Sequence, residues 1–258
     1  MKVVVSGVFA FFLLLFLSFT KIDHFSSDIL LESHIDGTEL PFIFQGIDEI
    51  LSKPLRYIGN GLEAVAFVSA DEQYVLKFFL KKQILKKSFF KPKKRFKQLL
   101  NNNTEIKTGL ETLKKYEVAL QHLTDETGLL AVYRGGAIEN LPVCTVVDYR
   151  GREHKIDLNQ VAFVVQKKAK IINRYMYADE FEKVNRELQD LFARLASKGF
   201  VNLSHVFNPE NFAILDNRAV MIDLGKLEFA PENSYELEEA KLSSRYSAWL
   251  AKKLVIIH

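Results

Sequence analysis

Alternating apolar and polar positions predict most of the strands in this chain. Between residues 55 and 80 the alternation is interrupted near residue 60 by glycines and at Ala70-Asp71-Glu72 by a polar turn, which predicts three consecutive strands. Residues 144–158 have the pattern of a hairpin that turns at Arg150-Gly151. The continuous apolar run at residues 161–165 is typical of a strand covered on both faces.

Apolar residues spaced three and four positions apart predict three longer helices. The first begins near Asn102, where an acidic residue three positions later is typical of a capping box. The second covers residues 178–197 and the third about 236–253. Antiparallel strands followed mostly by helices predict an α+β fold in two lobes, an N-terminal lobe at residues 51–165 with an antiparallel sheet and a reduced helical lobe at residues 166–258.

The N-terminal segment differs from the rest of the chain. Residues 3–19 are seventeen uncharged, mostly apolar residues. This length is at the lower limit for a helix that spans a bilayer and is long for the apolar core of a signal peptide. We therefore expect residues 1–21 to be a cleaved signal or a retained anchor, residues 22–50 to be a tether, and the protein to be membrane-anchored or exported. Lys2 precedes the run, and because positive charges next to a membrane segment tend to stay on the cytoplasmic side, its position favours an outward-facing body.

Composition and charge narrow the classes of protein. With 48% hydrophobic and 26% charged residues, the chain is expected to be globular. Its single cysteine, Cys144, excludes an intramolecular disulfide and a cysteine-rich zinc site. The net charge of +3 is unevenly distributed, because residues 77–97 contain ten Lys or Arg residues and no acid. This basic segment is expected either to be a solvated flap or to contact an anionic membrane surface. Nucleic acid is not expected, since no nucleic-acid-binding module is recognisable.

Candidate chemistry is carried by four features in a fixed order along the chain. A glycine turn, Gly59-Asn60-Gly61, lies between the first two predicted strands, and Lys77 ends the third. Glu117 lies on the apolar face of the first long helix, where a carboxylate needs a partner. Asn211 and Asp223 stand a dozen residues apart, with apolar strands between them. In this order the features resemble the protein kinase superfamily, over residues 55–228.

The resemblance implies a domain that binds ATP with Mg²⁺. Lys77 would hold the α and β phosphates and would itself be held by Glu117. Asn211 and Asp223 would provide hard oxygen ligands to the magnesium ion, so these four residues form the implied catalytic set. The residues implied to contact the nucleotide are Gly59, Asn60, Gly61, Ala64, Lys77 and Gln166.

Two departures from the superfamily pattern bear on activity. The position of the expected catalytic base is occupied by Val206, and residues 199–209 contain no Asp or Glu. His205 is the one titratable group in that window and is the alternative base. Only 35 residues follow Asp223, too few for the helical subdomain that docks peptide substrates.

These observations leave three functional hypotheses. The first is a kinase-like domain that binds nucleotide and magnesium but is catalytically impaired, tethered at a membrane as a regulatory or scaffold protein. The second is an active atypical phosphotransferase that acts on a small molecule or a protein. The third is a membrane-surface adaptor whose site is vestigial. The sequence does not decide whether the protein is an enzyme, and it identifies no protein partner.

Overall fold

The computed structural model describes residues 25, 27–32, 46–61, 63–80, 109–134, 141–172, 181–202, 207–229 and 235–254. The predicted signal or anchor at residues 1–21, most of the basic segment, and the base position with Val206 and His205 lie outside the described residues. Within the described part of the chain, none of the helices is both long and apolar enough to cross a bilayer.

The largest sheet has seven strands in the order β4-β7-β3-β2-β1-β5-β6. Their bounds are β1 Leu55–Asn60, β2 Ala64–Val68, β3 Tyr74–Phe79, β4 Leu129–Tyr133, β5 Val143–Val147, β6 Glu153–Asp157 and β7 Phe163–Lys167. All neighbouring pairs are antiparallel except β1 and β5, which run parallel. The strands predicted from residues 55–80, the hairpin at 144–158 and the buried strand near 161–165 are therefore confirmed.

The two-residue period of β2 and β3 decides which side chains reach the site. Phe67 and Phe78 are fully buried on one face of the sheet. On the opposite face Ala66 lies across from Lys77, and Ala64 lies across from Phe79. Because the two alanines are small, space is left beside the lysine on that face.

The helices are α1 Ile47–Leu51, α2 Gly109–His122, α3 Thr124–Thr127, α4 Phe181–Ser197 and α5 Tyr235–Leu254. The two predicted C-terminal helices are confirmed as α4 and α5. The periodicity of α4 predicts one apolar face of six residues. Five of them are buried, namely Val184, Leu188, Leu191, Phe192 and Leu195, whereas Phe181 at the start of the helix is only partly buried. Together with the sheet, these helices confirm the predicted α+β class.

Two small sheets complete the second half of the molecule. The strands are β8 Lys170–Ile171, β9 Phe200–Asn202, β10 Phe212–Leu215, β11 Arg218–Met221 and β12 Leu227–Phe229, paired in the orders β11-β10-β8 and β12-β9. Strands β10 and β11 are joined by a two-residue turn at Asp216 and Asn217, whose φ angles are 48° and 65°. Two positive φ angles are the requirement of the tight hairpin turn that matches strand twist.

Part of the range predicted as a tether belongs to the folded body. The amide of Leu31 donates to the carbonyl of Phe79 at 2.7 Å, and its carbonyl accepts from the amide of Ala162 at 2.9 Å. Phe25 and Leu30 are buried in the core. Residues 30–32 therefore extend the sheet between β3 and β7, because these strand ends offer unpaired backbone groups there.

Helix α2 begins in direct contact with the end of β3. A Cβ atom built on Gly109 would lie 2.3 Å from the carbonyl oxygen of Leu80. Only a glycine allows this approach. Leu80 and Gly109, the residues that flank positions 81–108, are thus in direct contact.

Candidate functional site

A cavity of about 730 Å³ lies between the large sheet, helix α2 and the β10–β11 hairpin. This volume is typical of sites for small molecules and cofactors. The cavity is lined by residues from five segments of the chain, namely Gly59, Asn60, Gly61, Glu63, Ala64, Ala66, Lys77, Phe79, Thr112, Tyr116, Phe207, Asn208, Glu210, Asn211, Ile222, Asp223, Gly225 and Lys226.

The glycine turn forms one wall of the cavity. The amide of Gly61 donates to the carbonyl of Ala64 at 2.8 Å, which closes the turn. The hydroxyl of Tyr57 donates to Oδ1 of Asn60 at 2.7 Å. A Cβ on Gly59 would meet no atom within 4 Å, so the backbone there is open to a ligand. The structure thus places Gly59, Asn60, Gly61 and Ala64 at the cavity, where the sequence predicts them.

Lys77 is the partly buried cation of the cavity. Its ammonium donates to the carbonyl oxygen of Ile222, and the hydroxyl of Tyr116 lies 3.4 Å from the same ammonium. Burial lowers the pKa of Lys77 to about 8, and the nearby negative charge of Asp223 opposes that shift. A negatively charged ligand in the cavity would favour the protonated lysine in the same way as Asp223 does.

The predicted partner of Lys77 is not the one observed. Glu117 does not line the cavity, and its Oε1 lies 3.7 Å from Nη1 of Arg134, the residue that follows β4. Adjacent residues on a helix point about 100° apart, so only one of Tyr116 and Glu117 can face β3. In this helix Thr112 and Tyr116, four positions apart, face the cavity. The prediction that Glu117 holds Lys77 is therefore corrected to Tyr116.

Gln166 is also outside the cavity. It lies in β7 across from Val75, it is 2% exposed, and its side-chain amide donates to the carbonyl of Thr127. This contact satisfies a buried polar group and joins β7 to α3. The prediction that Gln166 contacts a nucleotide is corrected to a structural role.

Asn211 and Asp223 are brought side by side by the β10–β11 hairpin. Phe212 pairs with Met221 in the last ladder position, so the residues just beyond it meet at the open end. The carbonyl of Asn211 accepts the amide of Ile222 at 2.8 Å and that of Asp223 at 3.4 Å. The structure thus places both predicted magnesium ligands at the cavity on one short element.

Asn208 is a cavity residue that was not predicted. Its Nδ2 donates to Oδ1 of Asn211 at 2.9 Å, and its own Oδ1 accepts the amide of Glu210 at 3.2 Å. The first bond fixes the orientation of the Asn211 amide, and the second caps the 3₁₀ turn Pro209–Asn211. The motif Asn-Pro-Glu-Asn carried this signal, since an Asn before Pro-Glu is typical of such a turn.

An aromatic cluster supports this loop from below. The ring of Phe207 stacks on Phe212 at 5.0 Å with an interplanar angle of 8°. The rings of Tyr246 and Trp249 on α5 lie 5.0 Å and 5.3 Å from it. The long last helix therefore holds the loop that presents Asn208 and Asn211, by packing rather than by polar contacts.

Glu63 is a second cavity residue that was not predicted. Its carboxylate accepts a hydrogen bond from the hydroxyl of Thr112 on α2. A Cβ on Gly225 would lie 3.1 Å from Oε2 of Glu63 and 3.4 Å from Oδ1 of Asp223. The absence of a side chain at Gly225 thus allows two carboxylates to approach the same corner of the cavity.

The comparisons with known proteins concern the fold. No family model and no curated protein matches the sequence. One matching solved structure is the co-crystal structure of WbdD and kinase inhibitor LY294002, with a TM-score of 0.39 and 14% identity over 80% of this chain and 37% of that chain. Another is the Rio2 kinase-ADP/Mg²⁺-phosphoaspartate complex from Chaetomium thermophilum, with a TM-score of 0.44 and 12% identity over 81% of this chain and 58% of that chain.

These likenesses agree with the kinase-like fold that the sequence motifs predict. The chain spans less than two thirds of either solved chain. Since both TM-scores are below 0.5, nothing about the site or its activity is carried over from either structure.

Proposed function

We propose that the cavity binds a nucleoside triphosphate together with a magnesium ion. The observation that carries this proposal is the convergence of the glycine turn, Lys77, Asn211 and Asp223 on one cavity. Backbone amides of a glycine turn and a partly buried ammonium suit phosphate, and amide and carboxylate oxygens suit magnesium.

The donor set fits magnesium held jointly with phosphate. No group of three or more His, Cys, Asp or Glu side chains among the described residues could hold a metal ion by itself. Magnesium is usually bound through one or two carboxylates plus phosphate oxygens rather than by an all-protein cage. Oδ1 of Asn211 accepts one hydrogen bond and Oδ1 of Asp223 accepts another, so each side chain keeps acceptor capacity. When bound, the ion would neutralise phosphate charge between these two residues.

We further propose that phosphoryl transfer is impaired. In the sequence, residues 199–209, which include the position of the expected base, contain no carboxylate to orient an acceptor hydroxyl. Loss of a general base typically lowers a rate by about 10² to 10⁴. A regulatory or scaffold role at a membrane fits a domain that binds nucleotide without efficient transfer, and the apolar run at residues 3–19 supports the membrane location.

The second candidate function is an active phosphotransferase with a different base. Glu63 and Glu210 are two carboxylates, besides that of Asp223, that line the cavity. Either one would accept the proton of an acceptor hydroxyl as the phosphoryl group leaves the nucleotide. Sustained ATP turnover that Glu63→Gln or Glu210→Gln abolishes would favour this function over the impaired one.

Calorimetric titration with ATP, in magnesium and in EDTA, tests nucleotide binding. We expect binding that magnesium strengthens and that Lys77→Met and Asp223→Asn both weaken. At a ligand concentration of about 100 times Kd, binding should raise the free energy of unfolding by about 2.7 kcal/mol. Matched controls are Lys155→Met and Asp125→Asn, which change exposed residues outside the cavity. A wild-type protein that neither binds ATP nor is stabilised by it would overturn the proposal.

A further inference from the structure

We infer that Tyr116 is the positioning residue that holds Lys77 in the cavity, in the place where the sequence predicts a glutamate. This inference deepens the proposed function, because it names what aims the phosphate-binding lysine and rests on that lysine's proposed role. The ion pair between lysine and a helix glutamate is replaced by a neutral side chain.

The first argument is the geometry of three polar atoms. The ammonium of Lys77 donates to the carbonyl of Ile222 and lies 3.4 Å from the hydroxyl of Tyr116. That hydroxyl also lies 3.4 Å from the same carbonyl and donates to it. A tyrosine hydroxyl can accept one hydrogen bond and donate another, so it bridges the cation and the carbonyl. A carboxylate could accept from the ammonium but could not donate to the carbonyl.

The second argument is the position of the aromatic ring. Nζ of Lys77 lies 5.6 Å from the centroid of the Tyr116 ring. Because the same nitrogen lies 3.4 Å from the hydroxyl oxygen, it lies off the hydroxyl end of the ring rather than over its face. The rings of Phe79 and Tyr116 pack edge to face with their centroids 5.4 Å apart, which fixes the Tyr116 ring relative to β3. The packed ring therefore places the hydroxyl that orients the ammonium.

The third argument is the charge around the lysine. Tyr116 is 3% exposed and neutral, so it leaves the positive charge of Lys77 uncompensated on the helix side. The carboxylates that face this part of the cavity are Glu63 from the glycine turn and Asp223 from beyond β11. A lysine without a partner carboxylate on the helix attracts an anionic ligand more strongly than a lysine that is already paired there.

The experiment compares Tyr116→Phe, Tyr116→Leu and Glu117→Gln with wild type in the full chain. Two quantities are measured for each protein: the Kd for ATP with magnesium, and the lysine side-chain signals in nitrogen NMR spectra without ligand. The signal of Lys77 is assigned by its loss in Lys77→Met. Tyr149→Phe, on the exposed turn after β5, is the control for removing a tyrosine hydroxyl.

Tyr116→Phe is expected to weaken ATP binding about fivefold to tenfold, which is within the range of one typical net hydrogen bond, and to shift the Lys77 signal. Tyr116→Leu should weaken binding further because it also removes the ring. Glu117→Gln and Tyr149→Phe should change neither quantity by more than about twofold, which is the expectation for groups without contact to the lysine.

Three outcomes separate the alternatives. If Glu117→Gln weakens ATP binding as much as Lys77→Met does, the inference is wrong and the helix carboxylate holds the lysine. If Tyr116→Phe leaves both Kd and the Lys77 signal unchanged, Tyr116 only fills space. If wild type binds no ATP, the proposed function fails. The Lys77 signal in Tyr116→Phe still tests whether Tyr116 holds the lysine, because that spectrum needs no ligand.

Discussion

The hydroxyl of Thr112 donates a hydrogen bond to the carboxylate of Glu63, and this bond joins helix α2 to the glycine turn. The backbone carbonyl of Glu63 also accepts the amide of Leu80 at 2.9 Å, just after β3. The turn that would face phosphate is therefore held from two sides. Thr112 is 4% exposed and carries no charge, so it supports the binding site through this hydrogen bond rather than by contacting phosphate itself.

Removing that hydroxyl is expected to loosen the glycine turn. Thr112→Val keeps the side-chain volume but removes the hydrogen bond from the Thr112 hydroxyl to the Glu63 carboxylate, which should lower the free energy of unfolding by about 1.5 kcal/mol. ATP affinity should fall as well. Denaturant unfolding measures the free energy of unfolding, and calorimetry measures the ATP affinity. The control is Thr145→Val in β5, outside the cavity. Equal effects of the two substitutions would show that the contact does not support the turn.

Removing the side chain of Asn208 should affect magnesium more than nucleotide. Asn208→Ala eliminates the bond that orients the amide of Asn211, so the oxygen of Asn211 is no longer fixed toward the cavity. We expect the difference in ATP affinity between magnesium and EDTA to shrink, while affinity in EDTA changes little. Asn185→Ala on helix α4 is the matched control. A variant that still shows the full magnesium effect would argue against this role.

Gly109→Ala should destabilise the protein although the position begins a helix. In a helix interior, Ala is usually favoured over Gly by about 1 kcal/mol. Here the added methyl would lie 2.3 Å from a backbone oxygen of Leu80, which cannot move without breaking the end of β3. We expect a loss of about 1–3 kcal/mol in the free energy of unfolding, the usual range for overpacking. Gly59→Ala, where nothing lies within 4 Å, should leave stability unchanged within about 0.5 kcal/mol.

Excision of residues 81–108, which include most of the basic segment, should leave the fold intact. Because Leu80 and Gly109 are in contact, a short Gly-Ser linker can replace residues 81–108. Loop length changes stability slowly, by about 0.6 kcal/mol per doubling, so unfolding curves of the two proteins should nearly coincide. Vesicles with and without anionic lipid then test the membrane hypothesis. Loss of vesicle binding on removal of residues 81–108 would support membrane contact by the basic segment, whereas unchanged vesicle binding would contradict it.

The β5–β6 turn should make stability depend on pH in the acid range. Burial raises the pKa of Asp148, but hydrogen bonds from Arg152, His154 and the amide of Arg150 outweigh it, and the net pKa lies below the usual value. A carboxylate with a lowered folded pKa contributes stability above its unfolded pKa, and this contribution is lost as the pH falls through the folded pKa.

Asp148→Asn should therefore be less stable than wild type at pH 7, by about 1.5–3 kcal/mol for hydrogen bonds to a charged group. The difference should shrink as the pH falls below the unfolded pKa of about 3.9 and toward the lowered pKa of the folded state. Urea unfolding at several pH values measures it, with the exposed Asp190→Asn as control. A constant difference across that range would show that the charge of Asp148 is not what stabilises the turn.

The strand pattern carried most of the information that places the site. Period two puts Lys77 on the face opposite Phe78, and the predicted hairpin puts Asn211 near Asp223. The helix pattern could not show whether Tyr116 or Glu117 faces Lys77. The two residues are adjacent, so their directions differ by only about 100°, and a tyrosine side chain has both an apolar ring and a polar hydroxyl. Glu63 was missed because its partner Thr112 is far away in sequence. Gln166 was misplaced since a buried amide looks the same in sequence whether it meets a ligand or a backbone carbonyl.

The position of β7 within the sheet sets a limit on when the protein can fold during synthesis. This strand is the last of the seven to be made, yet it lies between β4 and β3. Until residue 167 has left the ribosome, β4 and β3 lack the strand that lies between them. In the same way, β1 cannot pair with β5 until β5 has been made. Residues 1–167 of the 258 must therefore emerge before the sheet closes, and the exposed strand edges during that interval would need protection from aggregation.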